Sequence, residues 1–127
     1  MDRVLKVSRE HVWVGIEDQR VYFGLTNFGQ GELGQIISLE LPEIGDQVEK
    51  GEAFAEVESV ETVSELTAPL SGTVLSVNPD LESHPSIINE DPHNEGWMIE
   101  VKLLDPTEVN SLMDVDEYYH FVFKPKS

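Results

Sequence analysis

The sequence predicts an all-β fold in which two packed sheets carry a few short helices. Three observations lead there. Short stretches with apolar residues at alternate positions recur along the chain, the period expected of half-buried strands. Gly, Pro and Asn turn signals separate those stretches at short intervals. No long amphipathic helical pattern precedes about residue 105. The pattern by itself fits a sandwich or a barrel.

The first alternating run is His11–Ile16, with Val12, Val14 and Ile16 on one face. Glu17–Arg20 turns the chain into Val21–Leu25, where Val21, Phe23 and Leu25 alternate in the same way, so the two runs form a hairpin. Asn27 is placed to cap a short helix over about residues 28–33, with Gly34 just past its end. Gly29 and Gly31 disfavour that helix, which needs tertiary packing. Ile37, Leu39 and Leu41 then alternate up to Pro42. Glycine turns follow at Gly45-Asp46 and Lys50-Gly51. Two further strands, Ala53–Ser59 and Thr62–Thr67, meet at a tight connection, Val60-Glu61.

Ala68–Gly72 breaks the chain before a strand over Thr73–Val77, which Asn78-Pro79 ends with a capping residue and a first-turn proline. Residues 79–96 form a long connection, and Trp97, Ile99, Val101 and Leu103 mark the last strand. Asp105-Pro106-Thr107-Glu108 and Asp114–Glu117 carry capping spacings for two short C-terminal helices. These helices pack through Leu112, Val115, Tyr118, Tyr119 and Val122. A faint internal echo links Gly45-Asp46-x-Val48-x-x-Gly51 to Pro69-x-x-Gly72-x-Val74, on either side of the tight hairpin.

Composition narrows the function. At 127 residues, 39% of them hydrophobic, the chain is expected to be a single domain spanning 1–127 with one modest core. Eight Lys+Arg against 25 Asp+Glu give a net charge of −17, which argues against nucleic acid as a partner. The acids are spread along the chain, as a solubilising surface or as a field that steers it onto basic patches of larger enzymes. No apolar run approaches the ~20 residues of a membrane helix. The start, Met1-Asp2-Arg3-Val4, lacks a signal-peptide pattern, and Cys is absent, so a cytoplasmic location with no membrane partner is expected.

Val57–Glu65, followed by Ala68-Pro69-Leu70-Ser71-Gly72-Thr73-Val74, resembles the lipoyl-attachment hairpin of glycine cleavage system H proteins. Other segments agree in order and spacing. They include His11-Val12-Trp13-Val14, Gly24–Asn27 through Leu33-Gly34, Leu39-Glu40-Leu41-Pro42-x-x-Gly45, Asn78 with Leu81, Pro85–Pro92 and Gly96-Trp97. The resemblance runs from about Val4 to Phe121. It implies a lipoyl-domain-type sandwich, the barrel-sandwich hybrid, with a lysine at the hairpin tip. That lysine carries lipoate through an amide, and the arm serves glycine decarboxylase, aminomethyltransferase and dihydrolipoamide dehydrogenase after a lipoate ligase or transferase has loaded it. The domain performs no catalysis; it positions a cofactor.

Departures from the family pattern point elsewhere. The attachment position holds Glu61, framed by Glu58, Ser59, Val60, Thr62, Ser64 and Glu65. A carboxylate, anionic at neutral pH, offers no amine for acylation. The other lysines, Lys6, Lys50, Lys102, Lys124 and Lys126, lie outside the tip, so no cofactor is expected on the chain as written. Val12 occupies the place where the family has an acidic residue near the loaded arm, and an apolar side chain cannot hold a cationic aminomethyl group. Glu65 stands where Asp is frequent.

These changes predict a non-enzymatic, H-protein-like relative with a binding or regulatory role. The alternatives are an ordinary aminomethyl carrier whose lysine has been altered to glutamate, and a lipoate-binding carrier serving sulfur oxidation.

No other constellation competes. His11, His84, His93 and His120 lack the paired spacings of zinc sites, and Asp91–Gly96 lacks the alternating ligands and closing glutamate of a calcium loop. Glu56, Glu58, Glu61 and Glu65 read as a solvated face, and Ser59, Ser64 and Ser71 have no recognisable base. No catalytic residue and no metal ligand is therefore assigned.

Overall fold

The structure is a computed structural model and describes residues 4–123. β1 (Val4–Val7) pairs antiparallel with β2 (Val12–Glu17), which forms the expected hairpin with β3 (Arg20–Leu25). Val12, Val14, Val21 and Phe23 are wholly buried on the inner face. Trp13, one step out of phase, is buried as well, because both sides of β2 are covered. Its indole N–H donates to the Pro92 carbonyl at 2.9 Å, and it sits opposite Gly24 in the register, where a Cβ would stand 2.4 Å from the ring.

The helix α1 (Asn27–Leu33) follows, but its cap is Thr26, not Asn27. The Thr26 hydroxyl accepts from the Gly29 N–H at 2.9 Å, while the Asn27 side chain accepts from Gln30. Gly34 closes the helix at φ 87°, as its position suggested. In β4 (Ile36–Glu40) the expected alternation of Ile37, Leu39 and Leu41 fails. A register shift between Ile36 and Ser38 turns Ile36 into the core and leaves Ile37 48% exposed.

Between the two glycine turns lies a short strand the sequence reading did not separate, β5 (Gln47–Val48). β6 (Ala53–Ser59) and β7 (Val63–Thr67) form the tight hairpin, with Thr62 in the turn and not in the strand. β8 (Gly72–Val77) pairs with β5, so the two segments of the internal echo lie against each other: Gly45 N–H donates to the Val74 carbonyl and Gly51 N–H to that of Ala68.

The connection after β8 is not plain loop. It contains two single-turn helices, α2 (Asp80–Ser83) and α3 (Ile87–Glu90), which plug Leu81 and Ile88 into the core. Their shortness hides them from periodicity, which needs more than one turn to register. Asn78 does take up an N–H, that of Asp80 at 3.1 Å.

After β9 (Ile99–Leu103), Asp105 caps a 3-10 helix over Pro106–Ser111, and Asp114 and Glu117 form a full capping box on α4 (Val115–Val122). The proposed C-terminal stripe holds only in part. Tyr118 is buried, but Val115 and Tyr119 are 47% and 61% exposed, because α4 rests on the body along one edge.

Among the described residues the strands make a six-stranded sheet, ordered β1-β2-β3-β9-β8-β5, and a three-stranded sheet, ordered β4-β6-β7. The two sheets share one core. Phe23 from the large sheet meets Phe54 from the small one edge to face, with ring centroids 5.4 Å apart. The small sheet carries the tight hairpin to one end of the molecule.

Candidate functional site

The turn joining β6 to β7 is Ser59–Thr62, and all four of its backbone N–H groups are satisfied. Ser59 N–H donates to the Thr62 carbonyl at 2.8 Å. Val60 N–H reaches the Gln35 carbonyl at 3.0 Å, tying the tip to the start of β4. Glu61 and Thr62 both donate their N–H to the Ser59 hydroxyl, at 3.2 and 3.1 Å. Ser59 is buried, which fixes its hydroxyl as the hub of the turn. Such a turn holds its backbone still and leaves the side chain of residue 61 exposed.

The expected frame residues are brought together here. Glu58 pairs across the hairpin with Val63, and Val57 with Ser64. Glu58 accepts from the Ser38 hydroxyl at 2.9 Å, and Val60 is 64% exposed at the tip. Glu65 faces Glu56, which in turn faces Glu40, so one acid from each of the three strands forms a cross-strand row on the outer face. Val12 is different. It lies wholly buried in the shared core, so its side chain offers nothing to the surface where Glu61 stands.

Residues that sequence reasoning gave no role support the tip from below. Asn89 on α3 accepts from Ile36 N–H at 2.8 Å and donates to the Gly34 carbonyl at 3.0 Å and to Gln30 at 2.7 Å. It thereby joins the end of α1 to the start of β4. Glu61 turns its carboxylate back over Gly34, where a Cβ would stand 2.8 Å from Oε2. No local sequence signal marks Asn89 or Gln35, because both act only through long-range contacts.

The other end of α1 is held by aromatic residues. Asn27 N–H donates to Nε2 of His93 at 2.9 Å, and the His93 ring stacks on Trp13. Tyr118 from α4 places its hydroxyl 2.7 Å from Nδ1 of His11 and 2.9 Å from the Thr26 hydroxyl. Burial pulls both histidines below the usual imidazole range, against the nearby carboxylates of Glu32 and Glu10 for His11 and of Asp91 for His93. Tyr118 is raised, chiefly by burial, with the Thr26 hydrogen bond opposing.

Chemically, the turn displays the side chains of Val60, Glu61 and Thr62 and little else. Amide attachment of a cofactor requires a nucleophilic amine, and the residues at this turn, Val60, Glu61 and Thr62, supply none. An amide-linked lipoyl arm does not fit them. Of the lysines, Lys50 lies in the turn before the far end of β6, Lys6 on β1 and Lys102 on β9, while Lys124 and Lys126 fall outside the described residues. Among the described residues no group of three or more His, Asp or Glu side chains could hold a metal ion, and no helix is long and apolar enough to cross a membrane.

Comparison with known proteins gives a consistent answer. The family model described as glycine cleavage H-protein matches residues 5–124. The glycine cleavage system H protein of Halalkalibacterium halodurans is 50% identical over 118 residues, covering 93% of this chain and 92% of the relative. That of Staphylococcus carnosus is 47% identical over 118 residues, covering 93% and 94%. A crystal structure of a glycine cleavage system H protein from Mycobacterium marinum superposes with a TM-score of 0.87 at 32% identity, covering 96% of this chain and 98% of that one. The chain belongs to the glycine cleavage H-protein family, whose members are lipoyl carriers and not enzymes.

Proposed function

We propose that this chain, a single domain over residues 1–127, is a cytoplasmic H-protein relative that binds or regulates the family's partner enzymes without carrying lipoate. One observation carries the reading: the turn that would present the arm is completely hydrogen-bonded, yet the side chain it presents is the Glu61 carboxylate. A retained docking body with an unloadable tip would occupy partner surfaces without delivering a reactive arm. Those surfaces are the ones the family uses, on glycine decarboxylase, aminomethyltransferase, dihydrolipoamide dehydrogenase and lipoate ligase. The row Glu40, Glu56 and Glu65, which has no ion-pair partner among the described residues, and the net charge of −17 favour basic patches on them.

A second reading rests on the same intact turn, which an ordinary carrier altered only at its lysine would also retain. Glu61→Lys separates the two. The variant and the unaltered chain are each incubated with a lipoate–protein ligase, ATP and lipoate, then assayed with glycine decarboxylase for glycine-dependent bicarbonate exchange. The proposal expects no lipoyl adduct on the unaltered chain, an adduct on the variant, and no exchange from either. Full exchange by the loaded variant supports the ordinary carrier, and an adduct on the unaltered chain overturns the proposal.

A further inference from the structure

At the opposite end of β6 from Glu61, a cleft of about 400 Å³ is lined by Arg9, Glu10, Lys50, Ser111, Pro69 and Leu112. From Ala53 to Ser59 the strand advances six residues, roughly 20 Å at ~3.3 Å per residue, so this cleft is separate from the hairpin tip. We propose that it binds the carboxylate of a small amphipathic molecule, with Arg9 and Lys50 as the anion-recognising pair.

The charge balance is the first support. With 25 acids to 8 bases, each cation has about three carboxylates to choose from, and Arg20 takes one, Glu100, at 3.3 Å. Among the described residues neither Arg9 nor Lys50 makes an ion pair, although both stand in one concavity. Each is instead positioned by a neutral neighbour. The Arg9 guanidinium carbon lies 5.5 Å from the centre of the Phe121 ring, and Lys50 Nζ bonds the Ser111 hydroxyl at 2.5 Å. Neither contact neutralises the charge, and Lys50 keeps further N–H donors for an incoming oxygen.

Glu108, on the 3-10 helix that also bears Ser111, is diverted elsewhere. Its two oxygens accept from the N–H and the hydroxyl of Ser71, at 2.8 and 3.0 Å. The lining therefore holds two cations against the single carboxylate of Glu10.

That balance selects the ligand class. One excess positive charge matches a monocarboxylate, whereas a phosphate dianion would add repulsion from a chain at −17. Distant acids are screened over a Debye length of about 8 Å, while Arg9 and Lys50 act at contact. Pro69 and Leu112 give the ligand an apolar wall, so its body is hydrophobic.

The test is a titration of the ¹⁵N-labelled full chain with hexanoate, followed through backbone amide shifts. The expected result is a saturable shift of Gly51, Ala68 and Leu112, absent with hexanamide. Binding should weaken by about tenfold or more in Lys50→Gln and in Arg9→Gln. Lys102→Gln, which makes the same change in net charge on an exposed strand position, should bind as the unaltered chain does. Inorganic phosphate binding the cleft as tightly as hexanoate would overturn the carboxylate assignment. Failure to saturate, shifts scattered over the surface, or equal weakening in Lys102→Gln would overturn the site.

Discussion

Glu61 folds its carboxylate over Gly34, closely enough that a Cβ on residue 34 would lie 2.8 Å from Oε2. Gly34 also sits at φ 87° and ψ −166°, a region that glycine alone occupies readily. The clash is minor, since the carboxylate is the free end of a flexible side chain, but the backbone strain is not. Gly34→Ala should cost about 1–3 kcal/mol in urea denaturation. Adding Glu61→Ala should relieve little of that loss.

His93 accepts the Asn27 N–H and must be neutral at Nε2 to do so. Its folded-state pKa is lowered, as is that of His11, so the unfolded chain binds more protons in this range. The associated stability is complete above the unfolded imidazole value of 6.5 and is lost as pH falls through it toward the folded value. His93→Gln keeps an acceptor without the titration. Urea midpoints between about pH 7.5 and 5.5 should fall less in the variant than in the parent; parallel curves would remove His93 from the pH response.

Gly24 lies directly opposite Trp13, and a Cβ there would stand 2.4 Å from the indole. The ring is buried and fixed through the Pro92 carbonyl, so it cannot move aside. Gly24→Ala should destabilise the fold by about 3 kcal/mol or more, read as a lowered thermal midpoint together with a changed tryptophan emission.

The row Glu40, Glu56 and Glu65 sets like charges directly across two strand pairs. Glu56→Gln removes the middle charge and should stabilise the chain by about 0.2–0.5 kcal/mol. The gain should shrink as NaCl is raised, because salt screens the repulsion in the parent. A gain independent of salt would mean the effect is not electrostatic.

Much of this fold was legible where pattern and packing agree. The β2–β3 hairpin and the tight β6–β7 turn form where the sequence placed them, and Ile99 and Val101 of β9 are buried as their alternation indicated. Legibility failed where one long-range contact decides. Ile36 replaces Ile37 in the core because of a bulge, and Thr26 outcompetes Asn27 as the cap because Tyr118 also engages its hydroxyl. α2 and α3 are single turns held by Leu81 and Ile88, too short for any period to show. At the tip, the residue types were readable, but the supporting bonds from Gln35 and Asn89 join segments far apart in sequence. Val12, expected beside the arm, is instead a core residue, turned with Val14 into the core that the two sheets share.

The most direct test is the intact mass of the chain isolated from its native host, with any adduct localised by fragmentation. With a carboxylate at the hairpin tip, the expected result is no mass increment for a lipoyl group and an unmodified Glu61 on fragmentation. A lipoyl group on any side chain would contradict it.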